Sequence, residues 1–553
     1  MTTSRASPVD HRGVLPAANL PRATLGMAIG TAISRLTGVG RLLALAYALG
    51  FLRLTDAYNL ANTTPNMLYD VVLGGVLSAT FIPVFVDRLA TRSPREAWRA
   101  ISAIVTLALG VLVVASCLAW VLSPWIIDAY TVFRHAPQGG AHHALDQERA
   151  VATTLLRWFV PQIFFYGLIS LMTALLNTRS RFGAPMWVPI ANNLVSIGVL
   201  LAFHALVPKP SLAGAELHPH QLVLLGLGTT LGVVAQALLL LPSLVRAGLP
   251  RLRLRWEPRH EAVQTVLRLG AWTFGFVIAN QVALYVVLAL AVTAKGPAPV
   301  SSYTYAYTFM QMPYAVVAVS IMSAVTPDLS RSWAIGDLIG FHHRLVRGLR
   351  AVLAVILPAA VGMVLLAKPA VALLLGHGVT TTSDTTDTGA CLAILGVGLP
   401  GFCTFLYVVR VLQSMQRPEA AFWLYLIENG INVIAAFGLV GILGVRGLAA
   451  SISIAYSVAA VAGIFVLRHW LGRLGSSESW YPLRRVLGAT ATMGVTVLVV
   501  SNLLGATHGI ALLLRVLSSM AAGILVFFGA ASAFALRHER ERSLQGRHRH
   551  SSP

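Results

Sequence analysis

The chain has 553 residues, of which 56% are hydrophobic and only 11% charged, and its mean hydropathy is +0.73. Soluble domains carry roughly 25% charged residues, so one water-soluble core of this length is excluded, and the lack of short alternating segments excludes a β-barrel. A net charge of +21 would suit nucleic acid, but the arginines sit in short loops between apolar blocks with no nucleic-acid-binding motif beside them, so no nucleic-acid partner is expected.

The apolar blocks are about 20 residues or longer, enough to cross a hydrocarbon core of ~30 Å as helices. They predict an all-α polytopic membrane protein with about fourteen transmembrane helices, near 24–51, 63–86, 101–127, 152–176, 186–207, 220–244, 263–293, 302–328, 350–374, 389–409, 420–443, 447–467, 486–504 and 509–536. The first block is too long for a cleaved signal peptide and lacks a small-residue cleavage site after it. Basic groups such as Arg88, Arg92, Arg95 and Arg99, or Arg246, Arg251, Arg253, Arg255 and Arg259, recur in every second loop. The positive-inside rule then places both termini in the cytoplasm. Residues 1–23 form a cytoplasmic segment, and residues 537–553 form a basic tail that can touch anionic lipid headgroups. Cys117, Cys391 and Cys403 lie in or beside spans and read as packing residues.

Two segments echo each other: RFGAPMWVPIANNLVSI from Arg181 and RPEAAFWLYLIENGINVI from Arg417. A weaker echo pairs SATFIPVF (from Ser78) with SAVTPDLS (from Ser323). The spacing suggests two parallel six-helix lobes, 24–246 and 247–473, around a central cavity, with two further helices in 474–536. In such repeats substrate sites lie between the lobes near the midplane.

The first span carries the stretch SRLTGVGRLLA, with Arg35 and Arg41. A charge at bilayer depth costs about 2.5–3.5 kcal/mol on insertion scales and is rarely kept without a task. Arg35 lies about 16 Å into the span and Arg41 about 9 Å beyond it, roughly 120° apart around a straight helix. Gly38 and Gly40 between them would permit a bend that turns both toward one cavity. An arginine stays charged when desolvated and can grip phosphate oxygens bidentately. The alternative is that Arg35 pairs with a buried carboxylate while Arg41 snorkels outward.

TDAYNLANTTPNMLYD follows, in which Asp56, Asn66, Tyr69 and Asp70 dilute the apolar character, so this span is expected to face water or a cavity. Asp70 is a candidate partner of Arg41 or an outer gate, and solvation in a loop is the alternative for Asp56. SSYTYAYTFMQMP, with Ser301, Thr308 and Gln311, is similarly polar but uncharged. Glu428 and Asn432 lie one turn apart and either join the cavity or hydrogen-bond between helices. Gly228 and Gly232 read as a helix-packing pair. His142, His143 and Asp146 lack a recognised ligand spacing, and neither metal nor cofactor is expected. No catalytic constellation is found, so the chain is not read as an enzyme.

SRLTGVGRL, TDAYNLANTTPN, GGVLSATFIPVF, NTRSRFGAPMWVPIANN, MQMPYAVVAVSIMSAVTPDLSRS and LLLGHG together resemble the MurJ/MviN family of lipid II flippases, of the multidrug/oligosaccharidyl-lipid/polysaccharide exporter superfamily. The resemblance implies a two-lobed transporter that moves undecaprenyl-diphosphate-linked peptidoglycan precursor from the inner to the outer leaflet of a bacterial cell membrane by alternating access. It also implies membrane lipids and cell-wall synthesis proteins as further partners. By this likeness Arg35 and Arg41 match cavity arginines of the first span, Asp56 matches an acidic residue after it, and Ala46 and Ser301 fall where small residues are functionally sensitive. Substrate contacts are thus expected from Arg35, Arg41, Asp56, Asn66, Tyr69, Asp70, Ser301, Thr308 and Gln311, with the polyprenyl tail along the last two spans. Tyr69 and Asp70 stand where many members carry arginines, and Thr308 and Gln311 where many carry an arginine and a glutamate; the actinobacterial branch is similar to this version. The alternatives are another polyprenyl-oligosaccharide or multidrug exporter of the superfamily or, from a different class, a membrane glycosyltransferase or ligase, which the short loop near 128–151 disfavours.

Overall fold

The computed structural model describes residues 20–74, 81–134, 141–179, 181–248, 253–380, 385–474 and 477–550. They form α1 (Leu20–Leu49), α2 (Arg53–Tyr69), α3 (Ile82–Thr91), α4 (Pro94–Val121), α5 (Ser123–Tyr130), α6 (Ala141–Phe159), α7 (Pro161–Thr178), α8 (Gly183–Trp187), α9 (Pro189–Leu206) and α10 (Leu212–Leu217). These are followed by α11 (Pro219–Arg246), α12 (Glu261–Thr293), α13 (Pro299–Pro313), α14 (Val319–Ala334), α15 (Leu338–Leu375), α16 (Thr386–Ser414), α17 (Pro418–Leu443), α18 (Val445–Leu471), α19 (Ser477–Leu504) and α20 (Gly509–His550). A π-helical turn, Asp70–Gly74, follows α2, and another, Tyr314–Ala318, joins α13 to α14.

The sequence marks these helices at both ends. Pro94, Pro161, Pro189, Pro219, Pro299 and Pro418 each open a helix, where a missing N–H costs nothing and a fixed φ helps. The carboxylate of Asp337 caps α15 by accepting from the Gly340 N–H at 2.8 Å. Gly444 and Gly472, at φ +59° and +77°, let the chain leave α17 and α18 in the left-handed region.

Among the described residues, 13 helices are long and apolar enough to cross a membrane. The expected span near 63–86 is the one not among them. Its helix begins earlier, at Arg53, is rich in Asn and Thr, and passes through the π-helical turn before residues 75–80, which lie outside the described set. The segment near 128–151, expected as a loop, is largely helical: α5 reaches Tyr130, and α6 begins at Ala141 and runs on into α7 as one span.

Helix packing is mostly local to each half of the chain: α9 lies on α1 and α11, and α16 lies between α15 and α18. The halves meet where α13 packs on α2 and where α12 packs on α4, α5 and the Asp70 turn. The hairpin of α19 and α20 lies against α15. Gly228 and Gly232 do mark close packing, since a Cβ on either would meet Val199 Cγ1 or Asn192 Oδ1 at 2.6 Å on α9. Arg88, Arg99 and Arg255 gather around Glu257 and Glu261 where α4 and α12 begin, and form an arginine-rich face.

Candidate functional site

α1 is an unbroken α-helix through Gly38 and Gly40. The helix does not unwind at those glycines, and each lies at ordinary contact distance from α9. A Cβ on Gly38 would touch Asn193 Nδ2 at 3.7 Å, and one on Gly40 would touch Ile197 Cδ1 at 3.5 Å. Asn193 itself fastens α9 to α1, donating to Ser34 O at 3.1 Å and to Thr37 Oγ1 at 3.0 Å. Its counterpart in the sequence echo, Asn429, donates instead to Tyr425 O of its own helix at 2.8 Å.

On that helix Arg35 is exposed and Arg41 half-buried. Neither forms an ion pair among the described residues, so the alternative of a buried carboxylate neutralising Arg35 has no support there. They occupy different neighbourhoods. Arg35 and Arg410 both act electrostatically on Tyr314, in the π-helical turn of the second half. Arg410 is a candidate that the sequence reading missed. It is exposed near the end of α16, just beyond the limit set for that span, where it passes for one more loop arginine.

Arg41 lies in a second group. Both Arg41 and Asp70 act on Tyr166, whose ring lies 6.0 Å from that of Tyr69, and Tyr69 shares a 2.6 Å hydrogen bond with Ser170. Asp70 does not pair with Arg41. Its Oδ2 accepts from Gln281 Nε2 of α12 at 3.1 Å, so it links the two halves of the chain, and Gln281 Oε1 stays buried without a partner. Gln281 too was missed, for a lone glutamine in an apolar span carries no pattern. Asn66 is exposed on the same helix as Tyr69.

Asp56 is no loop residue. It is 2% exposed, and its carboxylate caps α13. Oδ1 accepts from the Ser301 N–H at 2.8 Å and from Ser301 Oγ at 2.6 Å, while Oδ2 accepts from the Val300 N–H at 3.2 Å. Asn59 Nδ2 donates to Ser301 Oγ at 2.9 Å, and Arg53 donates to Gly296 O at 3.1 Å. A second clasp stands nearby. Thr380 Oγ1 donates to Ala46 O at 2.9 Å and the Val379 N–H to Tyr47 O at 3.2 Å. Gly50, at φ +65°, leaves room for it, because a Cβ there would sit 2.9 Å from Val379 Cγ1. The first turns of α2 are therefore polar for contact with protein rather than water. Tyr58 OH meets Thr229 Oγ1 at 2.9 Å in the same region.

Thr308 turns its hydroxyl back to Thr304 O at 2.8 Å, and Gln311 lies beside Tyr307. No hydrogen bond among the described residues joins either to Arg35 or Arg41. Glu428 is buried with Oε2 unpartnered, and Asn432 Oδ1 accepts from Ser451 Oγ at 3.0 Å, so Asn432 bonds between helices.

At the arginine-rich face, the link from α11 to α12 and the start of α12 are tied to the first half by ion pairs, in which Arg88 is buried and Glu261 exposed. Arg99 meets Glu257 at 3.1 Å and Arg88 meets Glu261 at 3.1 Å, with Arg92 at 3.7 Å. The Arg99 hydrogen bond holds the Glu257 carboxyl below the usual carboxylate range, and Arg88 does the same for Glu261.

The family described as "Lipid II flippase MurJ" matches residues 45–518 of this chain. The chain is 27% identical to the lipid II flippase MurJ of Burkholderia cenocepacia over 446 residues, covering 79% of this chain and 81% of that protein. It is 26% identical to the probable lipid II flippase MurJ of Vibrio cholerae, covering 76% and 78%. The fold matches the solved structure "Lipid II flippase MurJ, inward closed conformation" at TM-score 0.73, with 21% identity over 92% of this chain and 98% of that one. It also matches an inward-facing multidrug resistance transporter of the MATE family at TM-score 0.65, with 16% identity over 82% and 98%.

Proposed function

The chain belongs to the lipid II flippase MurJ family, and from that premise we propose that it moves lipid II across a bacterial cell membrane by alternating access. It is a multi-pass transporter, and it uses no catalytic step. Both termini face the cytoplasm, so the arginine-rich face is the cytoplasmic one. The lobes comprise residues 24–246 and 247–473, and α19 with α20 guides the polyprenyl tail.

One observation carries the assignment of residues: Arg35 and Arg41 stand in an apolar helix with no carboxylate partner among the described residues. An unpaired guanidinium in that setting is stable when it meets water or an anion, and the anion here is the lipid diphosphate. Arg410 extends this cationic surface to the second half of the chain. It offers a cation there even though Thr308 replaces the arginine common in span eight. Tyr69, Asp70 and Asn66 shape the headgroup side of the cavity, with Thr308 and Gln311 opposite. Asp56 and Ser301 serve by closing the periplasmic side rather than by touching substrate. An inside-negative potential favours outward movement of the charged headgroup, by about 2.3 kcal/mol per charge per 100 mV. Proteins of the cell-wall synthesis machinery are the natural recipients of the product.

The test is complementation of a strain depleted of its lipid II flippase. The native chain should restore growth and lipid II translocation. Arg35→Ala should reach the membrane in equal amount and restore neither. Full activity of Arg35→Ala would overturn the assignment of that residue. Failure of the native chain, with accumulation of a different polyprenyl-linked sugar, would favour another exporter of the same superfamily, whose fold this chain shares.

A further inference from the structure

At the end of α15 away from Arg344, a cavity of about 260 Å³ opens between the main bundle and the C-terminal hairpin. Its walls are Lys368, Pro369 and Ala372 of α15, Thr385 and Thr386 at the start of α16, and Thr507, Leu512 and Arg515 of the hairpin. None of these residues belongs to the central groups described above. Drug-sized ligands occupy roughly 300–1,000 Å³, so this space suits a single small polar group rather than a whole sugar.

Its chemistry is that of an anion site. Arg515 is fixed by donating Nε–H to Ser501 Oγ at 3.0 Å and Nη1–H to Ala506 O at 3.0 Å, and no bond engages its Nη2 among the described residues. Lys368 is exposed and forms no ion pair there. The carboxylate of Asp387, next to Thr386 in the first turn of α16, is taken by Arg446 at 2.9 Å. Among the described residues, two cations thus converge without a countercharge, beside three threonines and the N-terminal end of a 29-residue helix.

Its depth and surroundings say what kind of anion. Lys368 lies two turns before the end of α15, about 10 Å along the helix. α15 has 38 residues and spans about 57 Å, longer than a bilayer of ~40–45 Å with its headgroups. Lys368 therefore falls near headgroup level. On the same hairpin, Leu503, Ile510 and Leu514 are 81%, 77% and 59% exposed, apolar surface that acyl or prenyl chains would cover.

We propose that Lys368 and Arg515 bind the phosphate of a membrane lipid in this leaflet, with its hydrocarbon lying along α19 and α20. A phospholipid and a polyprenyl phosphate present the same group, and either fits the chemistry. The site does not depend on the transport reading, because its occupant is read by binding alone.

The purified chain is placed in nanodiscs of neutral lipid doped with phosphatidylglycerol, with a polyprenyl phosphate, or with diacylglycerol, and retained lipid is counted by native mass spectrometry. A fourth sample receives inorganic phosphate only. One phosphate-bearing lipid should be retained and diacylglycerol should not. Whichever doped lipid is retained identifies the source. Lys368→Gln, which breaks no described bond, should weaken retention about tenfold, and Lys368→Gln with Arg515→Gln should abolish it. Native retention in Lys368→Gln, equal retention of diacylglycerol, binding of inorganic phosphate alone, or retention lost instead in Arg35→Gln/Arg41→Gln would each overturn the proposal.

Discussion

Removing the Asp56 carboxylate is the sharpest perturbation the structure offers. It accepts three hydrogen bonds, two from backbone N–H groups and one from Ser301 Oγ, across 244 and 245 residues of sequence. Each charge-assisted bond contributes about 1.5–3 kcal/mol, but the buried carboxylate is itself costly to desolvate, so the three do not sum. Deleting one partner of such a buried set costs about 3–5 kcal/mol. If the clasp exists in only one of two transport states, Asp56→Ala lowers the population ratio of that state by about two to three and a half decades. The assay is thiol labelling of a cysteine placed at Ala57, buried next to Asp56, in a chain whose exposed Cys117 is replaced by serine, with the thermal midpoint measured in parallel. Labelling should rise in Asp56→Ala, rise less in Ser301→Ala, which keeps both N–H bonds, and show strong non-additivity in the double variant. Unchanged labelling in Asp56→Ala, or additive single effects, would refute the clasp.

Replacing Arg41 by lysine keeps the charge and loses the planar fork, so translocation measured in cells should fall about tenfold rather than vanish. Gly232→Ala places a Cβ 2.6 Å from Asn192 Oδ1 and 3.0 Å from its backbone oxygen, a neighbour that cannot rotate away. The thermal midpoint in detergent should drop, at an overpacking cost of about 1–3 kcal/mol, while Gly430→Ala, with nothing within 4 Å, should be silent. Glu257 and Glu261 have folded values below the ordinary carboxylate range, so their ion pairs contribute fully above that range and are lost as pH falls through the lowered values. The difference in thermal midpoint between the native chain and Glu257→Gln/Glu261→Gln should close on acidification and in high salt; a difference that persists would assign these residues another role.

What the sequence disclosed follows from what is local. Span positions came from apolar length, and helix starts from proline placement, because both depend on residues close in the chain. The Gly228–Gly232 pair was legible for the same reason. Bonds across the molecule were not. Nothing near Asp56 reveals that the N-terminus of α13 will accept its carboxylate, so solvation in a loop was an equal reading. Gly38 and Gly40 show the limit of reading glycine by type: α1 stays helical through both, and a Cβ on either would meet α9 only at ordinary contact distance. Asp70 shows how charge misleads, since its opposite-charge candidate Arg41 lay in sequence view while its actual partner is the neutral Gln281. Arg410 was hidden by boundary error, a few residues of helix separating a membrane arginine from a loop one.

The two π-helical turns connect these pieces. One begins at Asp70, directly after Tyr69; the other begins at Tyr314, three residues after Gln311. In each case the preceding helix is buried along most of its length, through Met67 in α2 and Met310 in α13, and the turn starts where burial gives way. Pro313 accounts for the second, because its missing N–H leaves the ladder open at that point. A widened turn has a poorer hydrogen-bond ladder than the α-helix around it and is the place where a span bends at least cost. Above both turns lie the Asp56–Ser301 and Ala46–Thr380 clasps, and beside them lie Arg41 and Asp70 on one side, Arg35 and Arg410 on the other. With one end of each span held by buried hydrogen bonds and the middle softened, the other ends can separate or approach while the packing near the clasps stays intact, which serves one half of alternating access; release of the clasps serves the other.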